Sequence, residues 1–82
     1  MDAETLRELI ETGFAKAGLA EARADVRGDD GVHFEATVVS EAFRGKLPLA
    51  RHRMVYATLG DLMGGAVHAL QLKTVTAEEA GS

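Results

Sequence analysis

Three histidines and no cysteine set the chemistry open to this 82-residue chain. His68 follows the Gly64-Gly65 break and opens an apolar, β-branched run, so its ring stands at the start of a strand and can reach outward to a metal. Neutral imidazole binds iron, zinc or copper well. The structural alternative is a half-buried histidine bonded to backbone, and a period of two places His68 on the face of Leu70 and Leu72, which favours that alternative. His52 sits in Arg51-His52-Arg53. Successive helical residues point about 100° apart, so the three cannot all face one partner. Arg51 lies four residues before Val55 and can lay its aliphatic stem over the core. The absence of cysteine excludes disulfides, thiolate ligands and a cysteine nucleophile from within the chain, so any redox chemistry needs a partner's sulfur. Ser40 is one of two serines and the histidines lie on separate elements, so no nucleophile-base-acid set is discernible and no catalytic turnover is expected.

A chain this short makes one domain over residues 1–82, with a core of about 4–76 and a polar tail at 77–82 that is prone to fraying. Its interior must be built mainly from Leu, Val, Ala and Met, because there are no tryptophans, one tyrosine and three phenylalanines. The net charge of -4 is unevenly spread. Residues 1–41 carry ten acids and four bases (-6), whereas residues 42–82 carry three acids and five bases (+2). Four of the bases, Arg44, Lys46, Arg51 and Arg53, fall in one short stretch. Phosphate neutralisation supplies most nucleic-acid affinity, so a stripe this short on an acidic molecule is a weak footprint for DNA. The acidic start resembles no secretory signal, and no run approaches a membrane span, which makes a reducing, cytoplasmic setting the default expectation.

These residues need elements to position them. Leu6, Leu9, Ile10, Phe14 and Ala17 recur at helical spacing over 5–17, with acids toward the N-terminal half and Gly18 at the stop. Residues 21–27 alternate with period two, leaving Ala22, Ala24 and Val26 on one side. Gly28-Asp29-Asp30-Gly31 is a turn by composition, and residues 32–39 form a second strand with Phe34, Ala36 and Val38 on one face. The two strands should make an antiparallel hairpin. After a short connection over 40–46, Pro48 suits the first turn of a helix whose core is Val55, Leu59 and Leu62. Met54, Met63 and Tyr56 read as core and core-edge residues. Residues 49–63 form either one helix or two with a bend at Gly60, and residues 67–75 form a third strand. The order helix, strand, strand, helix or helix pair, strand gives an α/β (α+β) domain with helices on one face of a three-stranded mixed sheet, as in a KH-like fold of the second class. The Gly-X-X-Gly loop with which KH domains clamp phosphates occurs only at Gly28–Gly31, where two aspartates would repel it.

Arg51-His52-Arg53-Met54-Val55-Tyr56 leading to His68-Ala69-Leu70, with Gly31-Val32-His33-Phe34-Glu35 and Val38-Val39-Ser40-Glu41-Ala42-Phe43-Arg44-Gly45 upstream, closely resembles the BolA-like family. The resemblance covers about residues 4–76 and implies the same architecture, with a helix-turn-helix arrangement in the second half. It also implies that His68 is an iron ligand in a [2Fe-2S] cluster shared with a monothiol glutaredoxin, whose cysteine and bound glutathione supply the thiolates. No cluster would be held tightly by the isolated chain. Histidine in place of thiolate raises the potential, and a ligand that must lose its proton makes the site pH-sensitive. Family members take a second ligand, cysteine or histidine, from the loop between the first two strands. Alignment through Gly31 and Phe34 puts Asp30 at the cysteine position, while His33 matches a different family histidine that precedes the aromatic residue. Asp30 and His33 are equal candidates, with water or a missing ligand also open.

Arg44, Lys46, Arg51, His52 and Arg53 are the candidate nucleic-acid or partner-binding set, and the resemblance supports both a phosphate-contacting helix and a docking surface for glutathione and glutaredoxin. Three functions therefore compete. The first is a non-enzymatic heterodimer partner of glutaredoxin in iron-sulfur trafficking or iron and redox regulation. A second is a transcription regulator that contacts DNA through the helix-turn-helix and basic segment, and the family's association with stress response allows both in one protein. The third is a metal-free interaction domain, with weak homodimerisation open in each case.

Overall fold

The computed structural model describes residues 1–65, 67 and 69–81. Helix α1 (Ala3–Lys16) starts where the Asp2 carboxylate accepts the Thr5 N–H at 2.7 Å. It ends at Gly18, whose φ of +72° lets Leu19 N–H reach back to the Phe14 carbonyl at 3.0 Å, a closure that a side chain at this position would resist. Leu6, Ile10 and Phe14, one above another at i, i+4 and i+8, are the face it buries.

Strands β1 (Ala22–Arg27) and β2 (His33–Ser40) form the expected antiparallel hairpin, with Ala22 opposite Ser40 and Arg27 opposite Glu35. After a 3-10 turn at Glu41–Phe43, helix α2 (Pro48–Leu59) carries the chain over to β3 (Ala69–Val75), which runs parallel to β2. A parallel pair needs such a crossover. The sheet order is β1-β2-β3, so β2 is central. Its alternation is clean: Phe34, Ala36 and Val38 are buried with Ala22 and Ala24 under α1 and α2, while Arg23, Asp25, Arg27, His33 and Glu35 face outward. Phe14 and Phe43 meet edge-on, with ring centroids 5.7 Å apart, and close the core.

Of the two alternatives for residues 49–63, the single helix is found: α2 stops at Leu59, Gly60 takes a φ of +52°, and one 3-10 turn at Gly60–Leu62 follows. A turn that short has no length for a second helix, so no helix-turn-helix forms in this stretch. The stretch expected as a polar tail carries one more helix. This is the short α3 (Ala77–Ala80), closed by a capping box in which the Thr76 hydroxyl accepts the Glu79 N–H and the Glu79 carboxylate accepts the Thr76 N–H. Two further contacts dock it. Glu79 pairs with Arg51 at 2.7 Å, and Ala77 N–H donates to Glu41 Oε2 at 3.3 Å.

Candidate functional site

The loop joining β1 to β2 is shaped by two glycines and one aspartate. Gly31 has a φ of +81°, in the left-handed region that favours glycine. At Gly28 a Cβ would lie 2.6 Å from the His33 carbonyl oxygen and 2.6 Å from Phe34 Cδ1, so the loop closes this tightly only with no side chain there. Between the glycines, Asp30 turns its carboxylate back over the next turn of chain. Oδ1 accepts the Val32 N–H at 2.9 Å and the His33 N–H at 2.8 Å, and Oδ2 lies 2.6 Å from His33 Nδ1. The His33 and Val32 amides, and after them the His33 ring, hold the Asp30 carboxyl well below the usual carboxylate range. An ionised carboxylate can only accept, so His33 Nδ1 is the donor in this contact.

The two second-ligand candidates are thus brought together as one hydrogen-bonded pair. Both are exposed, His33 at 58% and Asp30 at 48% of their side-chain surface. The start of β3 lies alongside: the Cα of His33 is paired with that of Ala69, and Ala69 N–H donates to the Val32 carbonyl at 3.2 Å. A shallow pocket of about 480 Å³ opens there, bordered by Arg27, Asp29, His33, Glu35, Ala69 and Gln71. Before Ala69 in sequence, Val67 is fully buried and bridged to Met63. His68 lies outside the described residues. Among the described residues no three His, Asp or Glu side chains gather as a metal site.

Two arginines of the basic segment are paired to carboxylates within the chain. The Arg51 side chain is only 12% exposed, and its guanidinium is consumed by the fold. It donates to the Lys46 carbonyl at 2.8 Å, to the Thr74 carbonyl at 3.1 Å and to Glu79, and it lies 6.0 Å from the Phe43 ring centroid. Arg44 is paired with Glu41 at 2.7 Å and with Glu78 at 3.8 Å. His52 is half-buried on α2, whereas Arg53 and Lys46 are exposed and, among the described residues, have no ion-pair partner. Arg51 is therefore less available to a phosphate than the exposed members of the candidate set, because its guanidinium already meets carbonyl and carboxylate acceptors. Reading the sequence missed that role, although Thr76-x-x-Glu79 carries the capping-box signature that announces a helix start.

A family model described as BolA-like protein matches residues 12–79. This chain belongs to the BolA-like family. It is 37% identical over 76 residues to the DNA-binding transcriptional regulator BolA of Escherichia coli, an alignment covering 93% of this chain and 72% of that protein. It is 38% identical over 73 residues to SufE-like protein 1 of Arabidopsis thaliana, covering 88% of this chain but 19% of that protein. The chain spans less than half the length of the first curated relatives it matches, 44% of one and 19% of the other. Among solved structures, a BolA homologue from Coxiella burnetii superposes with a TM-score of 0.85 at 41% identity, covering 100% of this chain and 99% of that one. The three helices and mixed three-stranded sheet are thus those of known BolA structures. Among the described residues no helix is long and apolar enough to cross a membrane.

Proposed function

We propose that this BolA-like domain is a non-enzymatic partner of a monothiol glutaredoxin and co-ligates a [2Fe-2S] cluster with it and glutathione, in iron-sulfur trafficking or iron and redox regulation. His68 is one ligand. His33 is the second, and Asp30 orients it. The observation that carries this reading is the Asp30–His33 pair at 2.6 Å on an exposed hairpin end. Metal-binding histidines commonly donate their other ring N–H to a carboxylate, which fixes the ring and raises its basicity. Oδ1 of Asp30 is already engaged by two amides and Oδ2 by the ring, so the carboxylate supports a ligand better than it serves as one.

The donor set suits a shared cluster. With imidazole and carboxylate but no thiolate, the chain can hold one side of such a group while a partner supplies the sulfur. When bound, the cluster supplies one-electron redox chemistry and a transferable iron-sulfur unit. The protein's own part is to present imidazole nitrogen, keep the ring orientation fixed through Asp30, and bind only when the ring is unprotonated. The test is pulsed electron paramagnetic resonance on the reduced mixed complex, made with ¹⁵N-histidine in this chain alone. Nitrogen couplings that diminish in both His68→Ala and His33→Ala support the assignment. Couplings unchanged in His33→Ala would remove His33 from the ligand set, and an absence of any ¹⁵N coupling would remove the whole proposal.

A second reading is favoured by the name of the E. coli relative, a DNA-binding transcriptional regulator. Within the candidate basic set, Arg53 and Lys46, with His52 nearby on α2, are not paired to carboxylates among the described residues and are available to phosphate. Duplex binding followed by fluorescence anisotropy should weaken in the Lys46→Ala/Arg53→Ala variant, with a shallower salt dependence. No binding at low salt would dismiss it.

A further inference from the structure

We propose that the groove between α1 and α2 is a docking site for an acidic amphipathic helix of a partner protein, a surface that shares no residue with the Asp30–His33 pair. The groove encloses about 700 Å³ and is predominantly apolar, lined by Leu19, Ala50, Met54 and Ala57, with Gly13 and Thr58 where the two helices touch. Ala50, Met54 and Ala57 stand at i, i+4 and i+7 on α2, a stripe of the kind a helix buries against a neighbour, yet Ala50 and Ala57 are exposed and Met54 is only half-buried. Around the start of the same helix, Leu47 and Leu49 are also 79% and 63% exposed. An exposed apolar stripe of this kind marks an interaction site more often than a bare exterior.

Charge decides what fits. Lys16, from the last turn of α1, and Lys46, from the connection before α2, both line the groove. Among the described residues neither has an ion-pair partner, whereas Arg7, Arg27, Arg44 and Arg51 are all paired to carboxylates within the chain. On a molecule of net charge -4, two uncommitted lysines beside an apolar trough are complementary to a helix with leucine-like anchors on one face and Asp or Glu beside them. DNA is a poor occupant, since it offers phosphates but no apolar face to fill the trough.

The probe is a synthetic amphipathic peptide of about 16 residues with leucines at i, i+3/i+4 and i+7 and glutamates on its flanks, together with a matched peptide carrying lysines instead. Titrated into the ¹⁵N-labelled full chain, the acidic peptide should shift the amides of Lys16, Leu19, Lys46, Ala50, Met54 and Ala57. Lys16→Glu/Lys46→Glu should weaken it about tenfold or more, and Ala57→Glu, an exposed helix-compatible change, should block it without altering the thermal midpoint. Four results would overturn the proposal: equal binding of the lysine peptide, shifts confined to other surfaces, a DNA duplex that shifts the groove residues, or the same shifts on self-association in sedimentation.

Discussion

Gly28→Ala tests whether the hairpin loop is held by close approach. The added Cβ would sit 2.6 Å from the His33 carbonyl oxygen and from Phe34 Cδ1, where real contacts essentially never fall below 3.0 Å, so the neighbours must yield by at least about 0.4 Å. Neither yields easily, because His33 is hydrogen-bonded into the sheet and Phe34 is 3% exposed within the core. Over-packing of this kind costs about 1–3 kcal/mol. Against it stands the gain from stiffening the unfolded chain, about 0.4–1 kcal/mol, which applies because Gly28 lies outside the left-handed region. The net expectation is a loss of about 1–2 kcal/mol. Urea unfolding should show a lower midpoint at unchanged slope, and the His33 ring resonances should move because the carbonyl being displaced is His33's own. A variant as stable as the parent with unmoved His33 resonances would refute the close-approach argument.

Gly13→Ala would normally stabilise a helix, but here the new Cβ would lie 2.5 Å from Thr58 Cβ, so the helices must separate and thermal unfolding should show a loss of about 1–2 kcal/mol. Glu11→Ala removes the carboxylate that accepts the Ala24 N–H at 3.0 Å on the outer edge of β1; faster amide exchange at Ala24 and a loss of about 1 kcal/mol are expected. Glu79 is held down to about 2 by the Arg51 guanidinium first and the Thr76 amide next. A depressed carboxyl stabilises above its unfolded value near 4.5 and loses that contribution as pH falls toward 2, so amide exchange in α3 should accelerate across this window in the parent. In Glu79→Gln the acceleration should be absent.

Where a period or a turn residue decides, the fold is legible in the chain. Leu6, Ile10 and Phe14 mark α1, and the alternation around Phe34, Ala36 and Val38 identifies the central strand and its buried face. Pro48 marks the start of α2. The end of α2 is less legible because apolar residues continue past Gly60 through Leu62 and Met63, and only the backbone turn at Gly60 shows that the helix has stopped. Composition misleads at the C-terminus, where Ala-Glu-Glu-Ala looks like a solvated tail until Arg51, 28 positions earlier, is seen to hold Glu79. The same contact, with the Glu41–Arg44 pair, neutralises two arginines of the basic run. At the candidate site, the His68 motif and the Asp30 and His33 candidates are readable from residue order. The proposed division into ligand and orienting carboxylate is not, because it rests on Asp30 folding back to its own loop amides.

The most direct test of the central claim is a titration of this protein into a monothiol glutaredoxin reconstituted anaerobically with iron, sulfide and glutathione, followed by visible circular dichroism. A new cluster spectrum that saturates at one chain per glutaredoxin, and that His68→Ala fails to produce while remaining folded, is the predicted result. A spectrum unchanged by the parent protein, or identical with His68→Ala, would contradict it.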